Sequence, residues 1–203
     1  MIETLIKGFT IGIAYVAPIG MQNMYVINTA MTQRRSRLYM VALITIFFDI
    51  SLALACFFGM GALIEAVPLV KVLLLGLGSA AIIWIGIGLI RSAPKLDKTV
   101  ETKKTLIQVV LSCFLVTWAN PQALIDGTML FGGFRASLPA DMAKYFIMGS
   151  ALASATWFLS LGTVVSIFKK AFSEKILKII NIICGLIIIY YGIRLGISFF
   201  QTL

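Results

Sequence analysis

Six long apolar runs, parted by short stretches where charges or prolines collect, leave this chain few ways to fold. They cover residues 5–30, 38–63, 68–90, 106–131, 142–168 and 176–200. Each is longer than the roughly 20 residues an α-helix needs to cross hydrocarbon. They are continuous rather than alternating, which argues against a transmembrane β-barrel, whose strands read as alternating segments of about ten residues. Only 12% of residues are charged, about half the share in a soluble domain, and the mean hydropathy is +1.02. A water-soluble globule, a coiled coil and a disordered tail are therefore excluded. The expected fold class is all-α, a polytopic membrane protein of six transmembrane helices forming a single domain over residues 1–203. The first run exceeds a signal-peptide core and is expected to remain as a span.

Charge sets the expected topology. The 17 Lys and Arg against 8 Asp and Glu give +9. Twelve of the 17 follow the first, third and fifth runs: Arg34, Arg35 and Arg37; Arg91, Lys95, Lys98, Lys103 and Lys104; Lys169, Lys170, Lys175 and Lys178. Basic loops are retained on the cytoplasmic side, so segments 31–37, 91–105 and 169–178 are expected in the cytoplasm and both termini outside. The first run has few flanking charges, which leaves a five-span form with the N-terminus inside as the alternative. No basic cluster is interleaved with aromatics, so nucleic acid is not an expected partner. Cys56, Cys113 and Cys184 lie inside apolar runs and read as core thiols. With no histidine in the chain, and no metal spacing among the cysteines, neither a metal nor a cofactor is expected. Any proton coupling must use a carboxylate or water.

Two halves of three spans would enter the membrane in opposite senses, the arrangement of an inverted repeat. Trp84-Ile-Gly-Ile-Gly-Leu-Ile-Arg-Ser92 and Tyr190-Tyr-Gly-Ile-Arg-Leu-Gly-Ile-Ser198 share Gly, Ile, Leu and Ser positions at an offset of 106. Pro18 and Pro121 pair at an offset of 103, and five residues beyond each stands a polar side chain, Asn23 and Asp126. The expected halves are residues 1–92 and 105–203, joined by a cytoplasmic linker at 93–104.

Inside hydrocarbon an ionised side chain costs about 2.5–3.5 kcal/mol on insertion scales, so acids within apolar runs are informative. Asp49 and Asp126 are the two; the other six stand at ends or in loops. They read as the lining of a polar path for a cation, or else as a structural pair with a basic residue or water. The sequences Ala17-Pro18-Ile19-Gly20 and Trp118-Ala119-Asn120-Pro121 interrupt the first and fourth runs at matching places. Proline frees backbone carbonyls, and in a bilayer freed groups must face protein or a cavity. A binding site and a plain packing kink are the two readings. Gln22, Asn23, Asn120 and Gln122 cluster at the breaks and can hold both ends of a zwitterion or serve as glue between helices. Trp118 and Trp157 lie mid-run and either cover the site or pack. Small residues such as Gly86, Gly88 and Gly149 permit close helix approach and leave a homodimer open.

With these motifs assembled, the chain resembles the lysine exporter (LysE) family, and within it the branch exporting basic amino acids. Ala17-Pro-Ile-Gly-Met-Gln-Asn-Met-Tyr-Val-Ile-Asn28 is similar to the family's P-x-G-P-Q-N-A-F-V signature, with Met21 where the family has a second proline. Asp49 is similar to its helix-two aspartate, and Thr117-Trp-Ala-Asn-Pro-Gln-Ala-Leu-Ile-Asp126 to its T-W-L-N-P-x-x-x-x-D signature. The resemblance implies a carrier, not an enzyme, that exports L-lysine or L-arginine from the bacterial cytoplasm through the inner membrane. Membrane potential or proton exchange would drive it, with one repeat rocking against the other. The implied site comprises Asp49, Asp126, Asn23, Gln22, Asn120, Pro18, Gly20, Pro121, Trp118 and Trp157. Export of neutral amino acids or of a metal cation, and an ion channel, are the alternatives.

Overall fold

The structure is a computed structural model that describes residues 1–91, 105–168 and 173–202, so the linker at 93–104 and the pair Lys169 and Lys170 lie outside it. Among the described residues there are eight α-helices and no strand. They are α1 Ile2–Val16, α2 Met21–Thr32, α3 Arg35–Ala66, α4 Pro68–Arg91, α5 Leu106–Trp118, α6 Pro121–Ser137, α7 Ala143–Ile167 and α8 Glu174–Thr202, with one 3-10 turn, Ala140–Met142, before α7.

Local sequence explains several of the boundaries. Pro68 and Pro121 are the first residues of α4 and α6, where the missing N–H would have had no intrahelical acceptor. Thr105 and Gln108 form a capping box at α5: the Gln108 N–H donates to Thr105 Oγ1 at 3.4 Å and the Thr105 N–H to Gln108 Oε1 at 2.8 Å, satisfying two otherwise orphaned donors.

Arg35–Gly59, Ala140–Ile167 and Glu174–Ile197 are each long and apolar enough to cross a membrane, whereas α1 with α2, and α5 with α6, reach that length only as pairs. The pairs are bent by 75° and 57°. The first and fourth apolar runs are therefore each two helices rather than one kinked helix. The fourth also continues past Phe131 to Ser137, because Phe134 and Ala136 on the added turns enter the core. Outward faces carry large apolar side chains, among them Phe47, Ile107 and Leu186, the surface of a multi-pass membrane protein rather than a soluble one.

Two seams hold the bundle. A Cβ on Gly8 of α1 would run into the Phe146 carbonyl of α7, and one on Gly149 would run into the Leu5 carbonyl. A Cβ on Gly86 of α4 would stand 2.8 Å from the Gly185 carbonyl of α8, and one on Gly185 would stand 2.7 Å from the Gly86 carbonyl. Backbones this close gain dispersion contact, which is what associates helices in lipid. Helix α3 runs against α5, α6 and α7.

Between the seams the core is layered. One apolar cluster holds Ile11, Leu52, Phe57, Phe131 and Phe146; the other holds Val26, Leu38, Val41, Phe158 and Leu177. Along α3, Asp49 falls between the residues given to one cluster and those given to the other, and along α7 Ser150 and Ser154 do the same. Thr117, next to last in α5, is buried near the Gln22 that also meets Asp49, and Asn181 of α8 is likewise buried between the two clusters. A sheet of polar side chains thus crosses the middle of an apolar bundle.

Gly8→Val and Gly149→Val are expected to overpack the α1–α7 seam at a cost of about 1–3 kcal/mol. Thermal unfolding in detergent should show a lowered midpoint for both and an unchanged one for Gly59→Ala, where an added Cβ meets nothing within 4 Å.

Candidate functional site

Both breaks give rise to the start of a new helix. Ala17 still has right-handed helical angles, φ −75° and ψ −27°, and Gly20 turns extended at φ −118° and ψ −166° before α2 begins. Pro18 and Ile19 are left between two helix ends with exposed polar backbone. Asn23 satisfies part of it, donating from Nδ2 to the carbonyls of Val16 at 2.8 Å and Pro18 at 2.7 Å. Its Oδ1 accepts from Trp157 Nε1 at 2.7 Å. The Ile19 N–H donates to Asn181 Oδ1 of α8 at 2.8 Å. Asn23 and Asn181 are 2% and 1% exposed, so each lost bond would strand a buried polar group.

Beside this braced link lies a cavity of about 370 Å³. Pro18, Gly20, Gln22 and Asn23 line it from the first break, and Asn120 and Asp126 from the second. A Cβ on Gly20 would meet nothing within 4 Å, so the glycine leaves room at the cavity rather than relieving a clash. Gly20 and Asn120 are the residues whose carbonyls accept the first bonds of α2 and α6, from Met24 at 3.0 Å and Leu124 at 3.1 Å. Two helix N-termini therefore open on one space, and no side chain caps the first of them.

Several expected site residues stand elsewhere. Asp49 is buried and is absent from the cavity lining. It meets the site through Gln22, whose Nε2 donates to Thr117 Oγ1 at 2.7 Å and, more weakly, to Asp49 Oδ1 at 3.5 Å. Trp118 Nε1 donates to Ser51 Oγ at 3.0 Å and ties the end of α5 to α3, and Trp157 is bound to Asn23. Neither tryptophan lines the cavity. The side chains of Pro121 and Gln122 lie outside the described residues. Tyr15, Trp84 and Gly88 line the cavity and were not expected from the sequence. Tyr15 OH donates to the Ala123 carbonyl at 3.2 Å beside the second break, and Trp84 is 77% exposed. Asn181 was also missed, although a single amide in the sixth apolar run was a readable signal. Among the described residues no three of His, Cys, Asp and Glu come together as a metal site would require.

The sequence matches the family described as LysE type translocator over residues 13–198. The chain belongs to that family. Among its relatives, the Arginine exporter protein ArgO of Serratia proteamaculans is 30% identical, over 98% of this translocator and 97% of that protein. The ArgO of Salmonella choleraesuis is 28% identical over 100% and 99% of the two chains, and that of Salmonella typhimurium 28% over 92% and 90%. No solved structure matches the translocator.

Asn181→Ala is expected to leave the Ile19 N–H unpaired and to cost about 1–3 kcal/mol, measured as a lower unfolding midpoint in detergent. Trp157→Phe keeps an aromatic ring but removes the donor to Asn23, and should lower the midpoint by less.

Proposed function

We propose that the chain is a secondary transporter exporting basic amino acids, L-arginine first and L-lysine with it, from the cytoplasm across the bacterial inner membrane. The observation that carries this reading is the cavity where two helix N-termini and Asp126 meet. Its about 370 Å³ falls within the roughly 300–1,000 Å³ of small-molecule sites. The partial positive charge of the two N-termini, and the N–H groups of α2 that no side chain caps, suit an α-carboxylate. The Asp126 carboxylate in the cavity wall is the charge that suits a guanidinium or an ammonium, and carboxylates bind guanidinium groups especially well. Gln22, whose amide N donates to Thr117, has a carbonyl oxygen that suits an α-ammonium. The full-length relatives named as arginine exporters agree with this chemistry.

In the proposed architecture the chain crosses six times, as α1–α2, α3 and α4, then α5–α6, α7 and α8, each half beginning with a broken pair. The paired packing supports this reading: α1 and α2 lie on α7, α5 and α6 on α3, and α4 on α8. The basic loops face the cytoplasm and both termini face outward, as the positive-inside rule requires. Both glycine seams join a helix of one half to a helix of the other, which disfavours one half rocking as a block. Alternating access then comes from α2 and α6 swinging about the links at residues 17–20 and 119–120.

Efflux from proteoliposomes preloaded with labelled arginine, lysine, threonine or leucine tests the reading. Arginine and lysine are expected to leave saturably and to show counterflow. Asp126→Asn should slow arginine efflux at low concentration by about tenfold or more, as loss of a charge-assisted bond worth about 1.5–3 kcal/mol implies. Movement of the neutral amino acids alone, or non-saturating conductance, would contradict the assignment.

A further inference from the structure

Asp49 is left without work by the cavity, yet it is the most deeply buried acid described, 2% exposed at the mid-level of α3. Its surroundings are specific. It lines a second, much smaller void of about 10 Å³ with Ser150 and Ser154 of α7, closed by Ile50, Ala53 and Ile147. Ser154 is 3% exposed; it reaches toward the Asp49 carboxylate, but its Oγ makes no hydrogen bond of regular geometry. The firm bond of Gln22 goes to Thr117 rather than to Asp49. The titratable groups interacting with Asp49 are Tyr15 of α1 and Cys56 of α3 itself; Tyr15 is also influenced by Asp126 of α6, and Cys113 of α5 lies one turn away on Thr45. Among the described residues, α2 adds the Gln22 amide, α5 the Thr117 hydroxyl that this amide also binds, and α7 the hydroxyls of Ser150 and Ser154. Among the described residues no Lys or Arg belongs to this set.

A carboxylate held so weakly in an apolar bundle lacks the bonds that would offset its burial. Binding a positive charge is the direct relief, and the void limits which one. Its volume admits about one water. A hard metal cation needs around six oxygens, and here one carboxylate and two hydroxyls face a Gln22 that presents its NH2. A proton requires no coordination shell.

We propose that Asp49, with Ser150 and Ser154, is a proton-binding site separate from the substrate cavity, and that its occupancy couples arginine export to proton uptake. The proposal rests on the arginine-export reading. The O–H bond forms on Asp49 with a proton from the outer side and breaks toward the cytoplasm. One positive charge enters for each arginine cation that leaves, and no other group changes. Gln22 is the physical link, because it sits in the first turn of α2, lines the cavity and touches both Asp49 and Thr117. Protonation removes the charge that draws its amide toward α3 and leaves the bond to Thr117 of α5 as the tie of that side chain.

The test uses the full-length protein in vesicles loaded with labelled arginine and a pH-sensitive dye, together with equilibrium arginine binding to the purified protein. Wild type should acidify the vesicle interior as arginine leaves, and acid outside should speed efflux. Asp49→Asn should bind arginine within about twofold of wild type while losing both the acidification and the response to an imposed pH gradient. Ser154→Ala, which removes a hydroxyl able to donate to the carboxylate, should move the efflux midpoint toward higher pH by roughly one unit with arginine binding unchanged. If Asp49→Asn does not fold, the Ser154→Ala profile decides alone. The proposal is overturned if wild-type efflux carries no protons. It is overturned equally if Asp49→Asn weakens arginine binding as far as Asp126→Asn does, or if Ser154→Ala leaves the pH profile in place. A wild type that neither binds nor moves arginine would instead sink the export reading itself.

Discussion

A backbone that stops being helical inside hydrocarbon must find partners for its N–H and C=O groups, and the rest of this molecule is arranged around that requirement. At the first break the partners are Asn23, which folds back onto the Val16 and Pro18 carbonyls, and Asn181, which reaches over from the last helix to the Ile19 N–H. Trp157 in turn fixes the Asn23 amide. Four elements, α1, α2, α7 and α8, are thereby tied to one four-residue link. Because the link is braced by side chains rather than by continued helix, the N-terminus of α2 stays uncapped and open to the cavity.

The second organising feature is the segregation of polarity by depth. Apolar clusters above and below leave a thin polar layer that holds Asp49, while Asp126 stands apart from it on α6. Asp126 faces the cavity; Asp49 faces a void the size of a single water on the far side of Gln22. Two carboxylates in one site would compete for one cation. Here they stand in separate compartments, and Gln22, which lines the cavity, reaches the other acid with its amide. The seams made by Gly8, Gly149, Gly86 and Gly185 hold the surrounding helices in place while the layer between them works.

Much of this was readable in the chain. The matched spacing from Pro18 to Asn23 and from Pro121 to Asp126 marks both breaks and the polar residue after each, because proline and buried charge are costly enough in lipid to need a reason. The long apolar runs fix the helical class. What stayed hidden depended on which helices pair. Asn23 reads as a substrate ligand until Trp157 and two carbonyls are seen to occupy it. Asp49 reads as lining one polar path with Asp126 until it is seen to stand outside the cavity, beside the hydroxyls of α7. Asn181 lies 162 residues from the N–H it serves, a distance across which no local pattern reports. The extension of α6 to Ser137 escaped for a simpler reason: Phe134 is buried just before the charged Arg135, and the charge dominated the hydropathy.

The central claim is that a carboxylate in the cavity at the helix breaks selects the positive side chain of the substrate. Competition between labelled arginine and unlabelled citrulline for the purified protein tests it most directly, since citrulline keeps the shape of arginine and replaces the guanidinium with a neutral ureido group. Unlabelled arginine and lysine are expected to displace the label, and citrulline to fail at the same concentrations. Displacement by citrulline as effective as by arginine would contradict it.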